Sequence, residues 1–198
     1  MSKIAFTPNA SGSGIFTVAS PNTDSNYTLT LPESTSTVLT DGSQNYVSIF
    51  RLTSSASPSS GGSQETLTAW EAVDSRGQGN KGTGVSQSSG VFSFANTGYY
   101  LITYTLFMTT HTVTYGGGIL QATLNNSDYN SILETYSSTS NTSGTYYKSA
   151  SGSVIFDVTD TSNCKVKTNI LASGTTIGFG GNTDVNYTHI VFQRVGDT

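Results

Sequence analysis

Charge is what this chain has least of. Lys, Arg, Asp and Glu together make up 10% of its 198 residues, against roughly a quarter in an ordinary soluble domain. Eight basic residues against twelve acidic ones leave a net charge of −4, and no Lys/Arg stripe is present, so the electrostatic footprint of a nucleic-acid binder is excluded. The single cysteine, Cys164, excludes an internal disulfide framework. The two histidines, His111 and His189, stand far apart without the H-x-x-x-H or H-E spacing of a zinc site. No apolar run approaches the roughly 20 residues of a membrane-spanning helix, so no membrane insertion is expected. "MSKIAFTPNASGSG" lacks the apolar stretch of a secretory signal. The expectation is manufacture in a cytoplasm, with Asn-x-Ser/Thr triplets such as those at Asn26 and Asn186 read as chance and unglycosylated.

What replaces the missing charge is Ser, Thr, Asn and Gly, with aromatics at 11%. Thr and aromatics suit strands, while Gly, Asn and Ser suit turns. The aromatic content and small net charge also exclude a disordered chain. No window carries helical periodicity, whereas two-residue alternation recurs. It is read as strand in "YTLTLP" (27–32), "GVFSF" (90–94), "YYLITYTLFM" (99–108), "ILQATLN" (119–125), "SVIFDV" (153–158), "CKVKTNIL" (164–171), "TTIGF" (175–179) and "HIVFQRV" (189–195). Short strands between Gly/Asn/Ser turns predict an all-β sandwich or jelly roll. A seam near "TDGSQN" (40–45) divides a polar arm, 1–45, from a globular domain, 46–198. An arm that small rarely folds alone and implies partner chains or a docking surface.

Few residues invite chemistry. "RGQGNKGTGV" (76–85) contains G-x-G-x-x-G, but a phosphate cradle needs a helix after the glycines, and turn and strand follow here. Lys81 is also misplaced for a P-loop, so a loop between strands is expected. Cys164 alternates with Val166, Thr168 and Ile170 and is read as a small core residue, with Lys165 on the opposite face. No G-x-S-x-G elbow occurs. Carboxylates are scattered, although a facing pair of the glycosidase kind is a spatial question. Asp157 and Asp160 in "FDVTDTSN" suit a turn and are the weak calcium candidates; no other cofactor is expected. The loops "TYGGG" and "NNSDYN" are candidates for sugar contact. One strand is apolar on both faces: Tyr100, Ile102 and Tyr104 point one way, Tyr99 and Leu101 the other. Both faces must then be covered, by the sandwich on one side and on the other by a second subunit or a loop.

"GVFSFANTGYYLITYTL" resembles the central signature of the jelly-roll family shared by tumour necrosis factor ligands and the globular heads of complement component one, subcomponent q. In the complement-type pattern F-x5-G-x-Y-x-F-x-[FY], Phe92, Gly98, Tyr100 and Tyr104 match and Ile102 replaces the second Phe. In the upstream part, [ND]-x4-[FYWL]-x6-F, Asn80 and Phe92 are in register with Val85 at the aromatic-or-Leu position. The segments "SGSVIFDVTDTSNCKVKTNI" and "THIVFQRVGD" agree in outline. The resemblance covers about 50–198 and implies a homotrimer whose Gly-x-Tyr sheet faces the threefold axis. It implies an interface of Tyr99, Leu101, Thr103, His189 and Val191. It implies a sandwich core of Phe92, Phe94, Tyr100, Ile102, Tyr104, Phe156, Cys164 and Phe192.

The arm, "GSGIFTVASPNTDSNYTLTLPESTSTVLTDGS", resembles a short β segment recurrent in structural and tail-fibre proteins of bacteriophages, notably those of marine cyanobacteria. That resemblance implies a non-enzymatic virion protein, made in the host cytoplasm and docked through residues 1–45 on capsid or other virion proteins. Two jobs fit: capsid decoration or head fibre, and a fibre knob that binds host-surface carbohydrate. A cellular complement-type recognition module and a glycan hydrolase with cross-subunit carboxylates are the remaining alternatives.

Overall fold

A computed structural model describes residues 46–198 apart from 83, 111–112 and 139–143. The arm, its strand at 27–32 and His111 lie outside the described residues. In chain order the strands are β1 (Val47–Leu52), β2 (Glu65–Thr66), β3 (Trp70–Ala72), β4 (Val85–Ser88), β5 (Val91–Phe94) and β6 (Gly98–Thr110). They continue with β7 (Tyr115–Thr123), β8 (Asn130–Ser138), β9 (Tyr146–Val158), β10 (Lys165–Ala172), β11 (Ile177–Phe179) and β12 (His189–Gly196).

They form two antiparallel sheets. The first runs β3-β1-β12-β6-β9, and β11 continues the line of β12 along the far end of β6. The second runs β4-β5-β10-β7-β8, with β2 beside β10. Strands adjacent in sequence repeatedly fall in opposite sheets, which is the double-sheet jelly-roll solution to burying one face of each strand.

β6 shows why the sheets stack. Its alternate residues Tyr100, Ile102, Tyr104, Leu106 and Met108 are fully buried between the sheets. They meet Phe92, Phe94, Phe156, Phe192 and Cys164, which are also buried. Aromatic rings interlock there, with centroids 5.0 Å apart for Phe92–Phe192 and 4.7 Å for Phe94–Tyr100. Burying each such side chain stabilises the fold by about 1.5–3 kcal/mol. Gly98 starts β6 at φ +131°, and a Cβ there would lie 2.3 Å from the Gly196 carbonyl oxygen. The strand entry therefore accepts only glycine.

Four differences from the sequence reading have physical causes. "TYGGG" is not a loop: Tyr115 begins β7 and the glycines continue it. Gly116 and Gly118 face the core, where a Cβ would approach Ile177 Cδ1 to 2.3 Å and Leu106 Cδ1 to 2.5 Å. Asp157 is not in a turn but in β9, paired with Tyr99; only Asp160 is in the turn. β9 begins seven residues earlier than expected, because the Ser-rich stretch before Ser153 is held by pairing with β6 along its full length. β1, β2, β3, β4 and β8, which the sequence reading did not assign, complete the sheets; β8 is mostly exposed and lacks a clean apolar alternation.

Candidate interaction face

The outward face of the first sheet collects the side chains that the sandwich does not use. Strand register places Ile49, Val191, Thr103 and Ser153 in one row. Val47, Gln193, Leu101 and Ile155 form the next, and Tyr99 lies opposite Asp157 beyond it. Ile155 is 63% exposed and Tyr99 41%. Thr103 and Ser153 hydroxyls meet at 2.7 Å, and Thr105 and Ser151 at 2.9 Å. These pairs satisfy each other across the strands, so they could be covered without stranding a polar group.

One end of this face is closed by charge. Arg51 is fully buried, donating from Nε to Glu71 at 2.7 Å, from Nη2 to Asp74 at 2.9 Å and from Nη1 to Ser75 at 3.0 Å. His189 lies beside it in register, its Nδ1 3.3 Å from the Tyr187 carbonyl. Beyond His189, Phe107 is stacked between Tyr147 and Tyr187, with centroids 5.8 and 4.9 Å away. Tyr147 is 70% exposed and Tyr187 40%. No sequence pattern announces this aromatic row: its members are spread over 80 residues, and only the lateral order β9-β6 with the approach to β12 unites them.

All five proposed interface residues, Tyr99, Leu101, Thr103, His189 and Val191, thus share the outward face, and the eight core residues lie on the other side of the same sheet or in its partner. Of the glycine stretch 76–85, residues 76–82 lie between β3 and β4, with Arg76, Gly77 and Gly82 in the left-handed region, and Val85 begins β4. Lys81 bridges Val47 through its backbone. Asn80 closes this loop onto the sheet, its Oδ1 accepting the Ile49 N–H at 2.7 Å. That contact accounts physically for an Asn at the position the motif requires.

The calcium candidates do not converge. Asp160 is engaged by the Ser162 N–H and the Asn163 amide, each at 2.7 Å, and these donors hold its carboxyl below the ordinary range. Asp157 Oδ1 accepts from the Thr198 hydroxyl. Among the described residues no group of three or more His, Cys, Asp or Glu could hold a metal ion. Cys164 is buried, and its thiol meets the Thr159 hydroxyl at 3.9 Å. Lys165 reaches away to the Thr161 carbonyl. In the core, Tyr104 and Thr168 hydroxyls lie near each other without a hydrogen bond of ordinary geometry, and burial drives the Tyr104 pKa far up.

Two antiparallel sheets in this strand order define a jelly-roll sandwich of the tumour necrosis factor type. Solved structures carry the same fold. Murine APRIL at pH 8.5 superposes with a TM-score of 0.56 at 12% identity, over 77% of this chain and 100% of that one. The Eiger TNF of S. frugiperda does so with a TM-score of 0.55 at 12% identity, over 78% and 95%. At this identity the likeness concerns fold. No family model and no curated protein matches the sequence.

Proposed function

We propose that the chain is a homotrimeric, non-catalytic structural protein of a bacteriophage particle, a capsid decoration or head-fibre protein. Its jelly-roll head would project outward while residues 1–45 dock on other virion proteins. The observation that carries the oligomer is the outward face of the first sheet, where Val47, Ile49, Leu101, Ile155 and Val191 stand among mutually satisfied hydroxyl pairs and Gln193. A cluster of exposed apolar side chains on an otherwise polar chain suits a covered surface. The fold likeness makes threefold packing the arrangement of choice, and the arm's resemblance to phage structural segments supports the virion setting.

The test is the native mass in solution by light scattering at low micromolar concentration. A trimer has three times the chain mass of 20.8 kDa, about 62 kDa; a monomer would remove the proposed interface. Binding to capsids that lack the protein then supports decoration. Inhibition of phage adsorption by the free protein supports the second reading, a host-binding knob, which a cavity beside the 125–130 loop favours. Turnover of host glycan without added metal would overturn the non-catalytic assignment.

A further inference from the structure

The β7–β8 hairpin ends in "NNSDYN", and beside it lies an open hollow of about 410 Å3 that also reaches Phe156 of β9. Its floor is Ala122, Ile132 and Phe156, and its rim carries Leu124, Asp128 and Asn130. A register shift between Leu120 and Gln121 leaves Ile132 without a direct partner across the ladder. Such a bulge twists the strand locally. Asn130 pairs with Ala122 and so shares its inward face.

The rim is built rather than loose. Asn125 Oδ1 accepts from the Thr123 hydroxyl, the Ser127 N–H and the Asp128 N–H, while Asn125 Nδ2 donates to Asp128 Oδ2 at 2.7 Å. Asn126 takes the left-handed conformation, and its N–H donates to the Asn163 carbonyl. These bonds hold the Asp128 carboxylate in one orientation and occupy one of its oxygens. The other oxygen and the whole Asn130 carboxamide have no hydrogen-bond partner among the described residues, and both are at the cavity.

We propose that this cavity is a carbohydrate-binding site that takes one pyranose unit of a glycan. Its volume of about 410 Å3 is room for one sugar ring lying in an open, shallow hollow. An apolar floor accepts the C–H face of a sugar ring. A planar carboxylate and a planar carboxamide at the rim suit neighbouring hydroxyls, one as acceptor only and the other as donor and acceptor. The fixed carboxylate disfavours anionic ligands and leaves neutral or amino sugars. All the lining residues belong to one chain, so the site does not depend on the trimer. On a trimer three such sites would act together on a repetitive surface.

The experiment is saturation-transfer NMR on the full chain with methyl glycosides of glucose, galactose, mannose and N-acetylglucosamine, and with glucosamine. The expected result is transfer to at least one, with a dissociation constant of roughly millimolar order, as suits one shallow site. Asn130→Ala, which removes a side chain the fold does not use, should weaken binding at least about tenfold, as should Asp128→Ala. Lys81→Ala, an exposed change outside the residues that line or brace the hollow, should leave it unchanged. A preference for glucosamine would mark the carboxylate as the dominant contact; equal binding of the neutral sugars would mark the floor and the carboxamide. No transfer from any of the five, or transfer unchanged in both Asn130→Ala and Asp128→Ala, would overturn the proposal. A monomeric chain that still binds sugar would refute the trimer and leave this site standing.

Discussion

Ile155→Asp is the sharpest probe of the proposed trimer. The side chain is 63% exposed and paired across the strands with Leu101, so the change costs the isolated head little. Fully burying an Ile is favourable by about 1.5–3 kcal/mol. With roughly two thirds of that area still open, about 1–2 kcal/mol remains to be gained when a neighbour covers it. Threefold symmetry repeats the site, so the trimer loses about 3–6 kcal/mol, or roughly 10²–10⁴ in its assembly constant. Three unpaired carboxylates at a closed interface add to the loss. Sedimentation velocity across a concentration series from about 0.1 to 50 µM brackets a shift of that size. Leu101→Asp should act in the same direction, and Lys81→Ala, an exposed loop change, should leave the mass unchanged. Wild-type and Ile155→Asp proteins that stay trimeric to the same dilution would refute the assignment of this face.

Other expectations follow from the core and the turns. Gly118→Ala places a methyl 2.5 Å from both Leu106 Cδ1 and Tyr104 Cε1, and urea unfolding should show a loss of about 1–3 kcal/mol. Tyr104→Phe removes a buried hydroxyl that lacks a well-formed partner and should raise stability by about 1 kcal/mol in the same assay; a loss of that size would refute the reading. Burial raises the Tyr104 pKa above its ordinary 10.0, so its contribution is complete below pH 10 and declines as the pH rises further. The alkaline unfolding limb should therefore flatten in Tyr104→Phe. Asp160 has the opposite sign. Its pKa is lowered from 3.8 by the Ser162 and Asn163 donors, so what it contributes is present above that pH and is lost as the pH falls through the depressed value. Asp160→Asn should weaken the acid limb, followed by thermal melts between about pH 2 and 5.

Much of the sheet structure was legible because β alternation is a local signal. In β6, polar and apolar residues alternate too little to suit a half-exposed strand, and the structure shows why: one set fills the core and the other forms the outward rows. The strands that escaped notice carry a weaker signal. β8, "NSILETYSS", is largely exposed, and the first half of β9 is Ser-rich, so pairing partners rather than composition hold them in place. Asn80 was visible as a motif residue, but its reason, a hydrogen bond to the Ile49 N–H, required the distant β1 to be located. The glycines of "TYGGG" suggested a loop because glycine is usually a turn residue; here they clear space for Leu106, Tyr104 and Ile177 from the facing sheet.

From the sequence alone came the fold class, the composition of the core, the loop character of residues 76–82 and the inward and outward sets on β6. Each depends on neighbours two residues apart or on turn chemistry, which the chain carries locally. Tertiary structure alone decided which strands lie side by side, and with that everything built across strands. It stacked Phe107 between Tyr147 and Tyr187, ringed Arg51 with Glu71, Asp74 and Ser75, and separated Asp157 from Asp160. It also brought Phe156 of β9 beside Ala122 and Ile132 at the end of the β7–β8 hairpin. Lateral order and register are set by the packing of the whole sandwich, because a strand's own alternation says which side faces inward but not which strand it meets.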